Sequence, residues 1–225
     1  MHSEQPRREP NPISGLLITA LLLAALGLAA ALPLFADEAT CGSLDNAYGP
    51  FDYTNADHRA NRIPIVEEGH FNDDVRALRR GVTSDSPGPD LDYTLRAVPN
   101  YHDALYAMAR YSLQSGNDQP EGSRYSVDCW FDRAERFAPY DGVVNLIYGI
   151  YLHKKKQYPQ AEQQYLAAIP KMETTAEVHY NLGLLYLDMG RIDDAGEQAE
   201  LAYAQGYPLP GLRMKLARLS KNRSE

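Results

Sequence analysis

The stretch HYNLGLLYLDMGRIDDAGEQAELA, His179 to Ala202, decides the fold of this 225-residue chain. It joins the pair Leu182-Gly183 to Tyr186, a punctuating Gly190, and then Ala195 and Ala202. Gly149 precedes Gly183 by 34 residues, Ala161 precedes Ala195 by 34, and Ala168 precedes Ala202 by 34. Three equal offsets mark a repeat rather than an unrelated bundle with coincident small residues. A glycine inside a helix costs about 1 kcal/mol relative to alanine, a cost that makes sense where another helix packs closely. The alanines let the second helix of each hairpin approach the next. Leu152, Tyr165, Leu182 and Tyr186 fill the space between, and Gly190 marks the turn between paired helices.

This pattern resembles the tetratricopeptide repeat family, whose period is 34 and whose signature is W-x2-L-G-x2-Y … A-x3-F … P. The last copy carries Leu182-Gly183, Tyr186, Gly190, Ala195 and Ala202. The middle copy carries Gly149, Leu152 at the tyrosine position, Ala161, Tyr165 at the phenylalanine position, and Ala168. An earlier, imperfect copy has Phe131 and Ala134, 34 residues before Tyr165 and Ala168, and closes at Pro139. Its first helix, Tyr101 to Leu113, lies too far upstream, which leaves 114–125 as a loop lengthened by about seven residues. Such a loop either shapes a binding face or is a tolerated insertion.

The resemblance implies an all-α, right-handed, helical-hairpin solenoid with hairpins over 101–139, 143–170 and 176–204. Beyond Pro208, Pro210 and Gly211 a short basic helix then caps the stack, since a terminal unit must cover the last apolar face. In that helix Leu212, Leu216 and Leu219 are expected inward, and Arg213, Lys215 and Arg218 outward. The stretches CGSLDNAYGPFDY, DLDYTLRAVPN and YPLPGLRMKL are also similar to a group of bacterial envelope proteins with a tetratricopeptide-like body. That likeness brings no activity with it.

Ahead of the repeat, Ile13 to Ala36 holds no charged residue, and Ile13 to Leu32 alone is 20 residues, about 30 Å of helix. It reads either as a membrane anchor or as an export signal cleaved after Ala36. The expected organisation is therefore 1–36 as signal or anchor, 37–100 as a turn-rich aromatic segment with short helices, and 101–225 as the repeat domain. On this reading the body belongs to the cell envelope, in the periplasm, either tethered to the inner membrane through residues 13–35 or released. Residues 41–69 keep neither helical nor strand periodicity, and Gly42, Gly49, Pro50 and Pro64 predict turns around Tyr48, Phe51 and Tyr53. His70 to Gly81 reads as a helix, 82–90 as a disordered-looking connector, and 90–100 as a further short helix.

The formal charge of −8 and pI of about 5.3, with no concentrated basic patch, argue against a nucleic-acid partner. In the oxidising compartment that export implies, two and only two cysteines, Cys41 and Cys129, suggest one disulfide rather than two separate buried thiols, and a metal site would need more soft ligands than the chain offers. His58, His70, His102, His153 and His179 form no metal-binding spacing, and no nucleophile elbow or phosphate loop is present. Asp73-Asp74 and Asp90 with Asp92 read as first-turn helix charges. No catalytic residue, cofactor or metal ligand is assigned. Of the 16 tyrosines, Tyr106, Tyr111, Tyr148, Tyr151 and Tyr180 form the candidate binding surface, as core or as groove rim. The function expected is a non-enzymatic protein–protein interaction scaffold whose partner is another envelope protein. A glycan-binding module requires those tyrosines to line one groove. An enzyme requires His58 or His70 to meet carboxylates in a pocket.

Overall fold

A computed structural model of the chain describes residues 41–224, which lie in one compact unit. Every regular element among the described residues is helical. Five helices cover the repeat proper: α6 (Val127–Phe137), α7 (Gly142–Lys154), α8 (Tyr158–Ala168), α9 (Ala176–Asp188) and α10 (Ile192–Ala204). Before them come α1 (Ala56–Asn61), α2 (Ile63–His70), α3 (Asp73–Arg76), α4 (Gly88–Ala97) and α5 (His102–Ser115), and α11 (Gly211–Ser224) follows. Helices α7/α8 and α9/α10 form the tightest pairs, and α5/α6 pair through the longer loop. Neighbouring pairs pack through α5 on α7, α8 on α9 and α10 on α11. The arrangement is an all-α stack of sequential antiparallel pairs, consistent with a generic helical solenoid.

The period is visible in the backbone. At the end of α7, Gln157 N–H donates to Leu152 O at 2.9 Å and Lys156 N–H to His153 O at 2.9 Å. At the end of α9, Arg191 N–H donates to Tyr186 O at 2.8 Å and Gly190 N–H to Leu187 O at 3.0 Å. Every atom pair is displaced by one repeat, and both ends are the same six-to-one, five-to-two helix stop. That stop needs a left-handed residue. Gly190 supplies it at φ 76°, whereas Lys156 is held there at φ 60°.

The small residues do what their spacing predicts. A Cβ added to Gly149 would lie 2.6 Å from the Tyr165 ring, and one added to Gly183 would lie 2.5 Å from Leu212 Cδ2. Ala161, Ala168, Ala195 and Ala202 are fully buried, as are Phe131, Ala134 and Tyr165. Leu152, Leu182 and Tyr186 are also buried, and Pro139 stands exposed just past the end of α6.

The front of the body departs from the sequence reading. Residues 56–69, expected as turns, lie almost wholly in α1 and α2. Helix α1 buries nothing, so it has no apolar stripe to betray it, and the Asn55 side chain starts it by accepting from Asp57 and His58 N–H. Helix α2 buries only Ile63 and Val66. The helix expected over 70–81 shrinks to α3, capped by Asn72 and stopped where Leu78 turns left-handed at φ 58°. The connector at 82–90 is ordered: Gly81 N–H donates to Ser84 O, Val82 N–H to the Asp90 carboxylate, and Gly88 is buried. One apolar cluster runs from Ile63 through Leu91, Tyr101, Phe131 and Tyr165 to Ala195, with a smaller one around Tyr180, Ala202 and Leu212.

Cys41 and Cys129 are joined in a disulfide across a sequence separation of 88, with Cα atoms 5.1 Å apart. Beside it the buried Arg133 donates to the carbonyls of Cys41 at 2.9 Å, Gly42 at 3.3 Å and Ser43 at 2.7 Å. Burial pushes the Arg133 pKa down, and the carbonyls together with the Tyr125 and Trp130 rings supply its favourable surroundings.

The membrane expectations require correction. Among the described residues no helix is long and apolar enough to cross a membrane. The longest, α5 and α11, have 14 residues, about 21 Å against the roughly 30 Å of a hydrocarbon core. The signal or anchor placed at 1–36, with its span at 13–35, lies outside the described residues. The transmembrane, signal, inner-membrane and periplasmic assignments are withdrawn on this finding.

Candidate interaction surface

The five tyrosines do not share one face. Tyr148 stacks on Phe131 at 4.4 Å and donates to Asp128 at 3.2 Å, and burial raises its pKa. Tyr151 is buried against Ser112, its hydroxyl pushed up to about 12 by burial. Tyr180 packs on Tyr207 at 4.4 Å under Gly211. Tyr111 is half-buried beside Ser86, hydroxyl to hydroxyl at 3.0 Å. Tyr106 alone is well exposed, at 45 %, with the Arg110 guanidinium over its ring.

The histidines are pinned structurally. His58 Nδ1 accepts from Asp52 N–H at 2.9 Å, and His102 Nε2 meets Asp141 at 2.8 Å. His153 Nε2 meets Asp188 at 2.9 Å, and His179 Nδ1 meets Gln198 at 2.8 Å. His70 does converge with a carboxylate, its Nδ1 2.8 Å from Asp90 Oδ1, and it stacks on Tyr93. Asp90 and Asp92 are buried hubs, not solvated helix charges. Asp90 also holds Val82 N–H, and Asp92 binds the Arg96 side chain and Arg124 N–H. These bonds fasten the 82–87 connector and the inserted loop to α4. The adjacent cleft, about 560 Å³, is lined by Leu78, Arg79, Ser86 and Tyr111 and excludes His70. Among the described residues no three His, Cys, Asp or Glu side chains gather in a metal-binding group.

A polar feature of the repeat escaped the sequence reading. Asn145 of α7 donates to Gln164 of α8 at 2.7 Å, and His179 of α9 pairs with Gln198 of α10 at 2.8 Å. Both partners are displaced by one period, so the 34-residue comparison that found the glycines contained this pair as well. These groups are buried or half-buried and hydrogen-bonded, as interior polar atoms must be.

What remains open is a stripe on the first helix of each pair. Ile150 of α7 and Leu184 of α9, one period apart, are only partly covered, and Arg218 of α11 continues the column exposed. A parallel column runs Leu146, Tyr180, Met214, buried at its first two places and 58 % exposed at the third. Counted from the helix starts, Tyr106 and Arg110 hold the matching places in α5. Because α5 packs on α7, α7 on α9 and α9 on α11, the columns lie side by side across four helices. Acidic Asp103 and Glu177 and basic Lys154 border them. The chemistry on offer is apolar contact flanked by charge, without a nucleophile, acid–base pair or metal seat.

No protein-family model and no curated protein matches the chain. The helices themselves form antiparallel pairs of a helical repeat, with no family identity attached.

Proposed function

We propose that the pairs are tetratricopeptide-like units stacked right-handed, and that the protein is a non-enzymatic scaffold binding another protein along the first-helix stripe. The observation that carries this reading is the partly open column Ile150–Leu184, recurring at the repeat period, with Arg110 and Arg218 at its two ends and Tyr106 and Met214 exposed at the ends of the column beside it. Half-covered apolar side chains at matched places of successive helices make a track for alternate side chains of one bound segment. The glycan reading loses its support because Tyr148 and Tyr151 are committed to the core. Against the enzyme reading, the cleft beside α4 is not lined by His70, whose ring is taken up by Asp90 and Tyr93.

A photo-crosslinking amino acid placed at Ile150 or Leu184 tests the proposal in cells. Both positions are expected to trap the same protein, while Gln160 and Gln163, exposed on α8, trap none. Equal yields from both sets of positions, or no defined product from the stripe, would overturn it.

A further inference from the structure

Helix α11 repeats the first-helix pattern. Val144, Val178 and Leu212, spaced by the period, are all fully buried. Gly149 and Gly183 correspond to Ala217, Leu182 to Leu216, and Leu185 to Leu219. In α7 and α9 these positions are covered by the second helix of the pair. Tyr165 of α8 reaches Gly149, and Gln198 of α10 comes close to Gly183. In α11 the same positions are uncovered among the described residues: Ala217 is exposed, and Leu216 and Leu219 are half-exposed.

The uncovered face borders a groove of about 530 Å³ between α10 and α11, lined by Ile192, Asp193 and Gly196 on one side and Arg213, Leu216 and Ala217 on the other. Its continuation reaches Glu200 and Tyr203. A Cβ on Gly196 would meet nothing within 4 Å, so the groove is open at its floor. The two walls differ in charge. Asp193, Glu197 and Glu200 stand exposed on α10, and among the described residues none of them joins an ion pair. Helix α11 has no acidic residue and exposes Arg213, Lys215 and Arg218.

We propose that this groove is a self-association surface, in which α11 of a second copy lies where α8 and α10 lie against α7 and α9. An occupant must offer apolar side chains to Leu216 and Ala217 and a basic flank to the α10 wall. Helix α11 has both, with Met214 exposed beside Arg218. In a two-fold arrangement each α11 brings its basic residues to the Asp193–Glu200 wall of the other copy, so one contact satisfies both grooves. An acidic partner helix would set like charge against that wall. The inference concerns the end of the stack and does not depend on the first-helix stripe.

Sedimentation velocity of the full chain over a range of concentrations provides the test. The wild type is expected to dimerise. Ala217→Arg, a change at an exposed position, is expected to raise the dissociation constant by at least about tenfold, with the far-UV spectrum and the Tm of the dilute, monomeric chain unchanged. The pair Asp193→Lys with Glu200→Lys weakens the dimer too, and adding Arg213→Glu with Arg218→Glu restores it. This swap decides the matter if Ala217→Arg lowers Tm. A monomeric wild type at every concentration, or a dimer indifferent to the charge swap, would overturn the proposal.

Discussion

Tyr165 occupies the place where the tetratricopeptide pattern sets phenylalanine, and its buried hydroxyl finds no hydrogen-bond partner among the described residues. Burial raises its pKa well above the usual tyrosine value. A sealed, unpaired hydroxyl costs stability, so Tyr165→Phe should raise it by about 1 kcal/mol, read as a Tm increase of roughly 2–4 °C. A lowered Tm would show that the hydroxyl has a partner. Lys156 and Gly190 form a matched pair of left-handed residues. Relieving Lys156 by glycine should gain about 1 kcal/mol from the backbone, partly offset by the looser unfolded chain, while Gly190→Ala should lose about 1 kcal/mol. Urea midpoints moving in opposite directions would confirm both. At this scale the glycines and alanines were legible because packing demands smallness at a fixed spacing. The Asn145–Gln164 and His179–Gln198 pairs were not, because polar residues inside a repeat look like surface until a partner is known.

Among the elements, α7 to α10 were legible from periodicity, and α1 and α2 were not, since capping and loop contacts rather than an apolar stripe hold them. Capping by Asn55 and Asn72 is readable in principle, but it sets only the start of a helix. The contact between α6, α7 and α8 carries a pH-dependent term. Burial holds the Glu135 carboxyl above its ordinary value, only partly opposed by Lys171 and by hydrogen bonds from Gln164 and Asn145. The folded state therefore binds a proton more tightly than the unfolded one. The corresponding stability is fully present below about pH 4, the unfolded carboxyl range, and is lost as pH rises through the raised folded value. Glu135→Gln should flatten that descent. Urea midpoints between pH 4 and 7 check it, and an unchanged slope would assign the effect elsewhere.

For the molecule as a whole, the disulfide and Arg133 tie the segment after Cys41 to α6, while the repeat pairs downstream rest on their own contacts. Replacing both cysteines by alanine should cost about 2–5 kcal/mol, most of it through the long loop closed in the unfolded chain. Hydrogen exchange should then rise over 41–54 and α6, with α9 and α10 unchanged. The cysteine pairing was foreseeable from two residues alone. The tyrosine surface was not, because groove and core give the same apolar stripe in sequence and only packing tells Tyr148 from Tyr106. The claim that the first-helix stripe binds protein is tested most directly by calorimetry with the crosslinked partner, comparing wild type with Ile150→Asp/Leu184→Asp. The double variant is expected to bind at least about tenfold more weakly at a temperature where its far-UV spectrum shows it folded, and undiminished binding would contradict the claim.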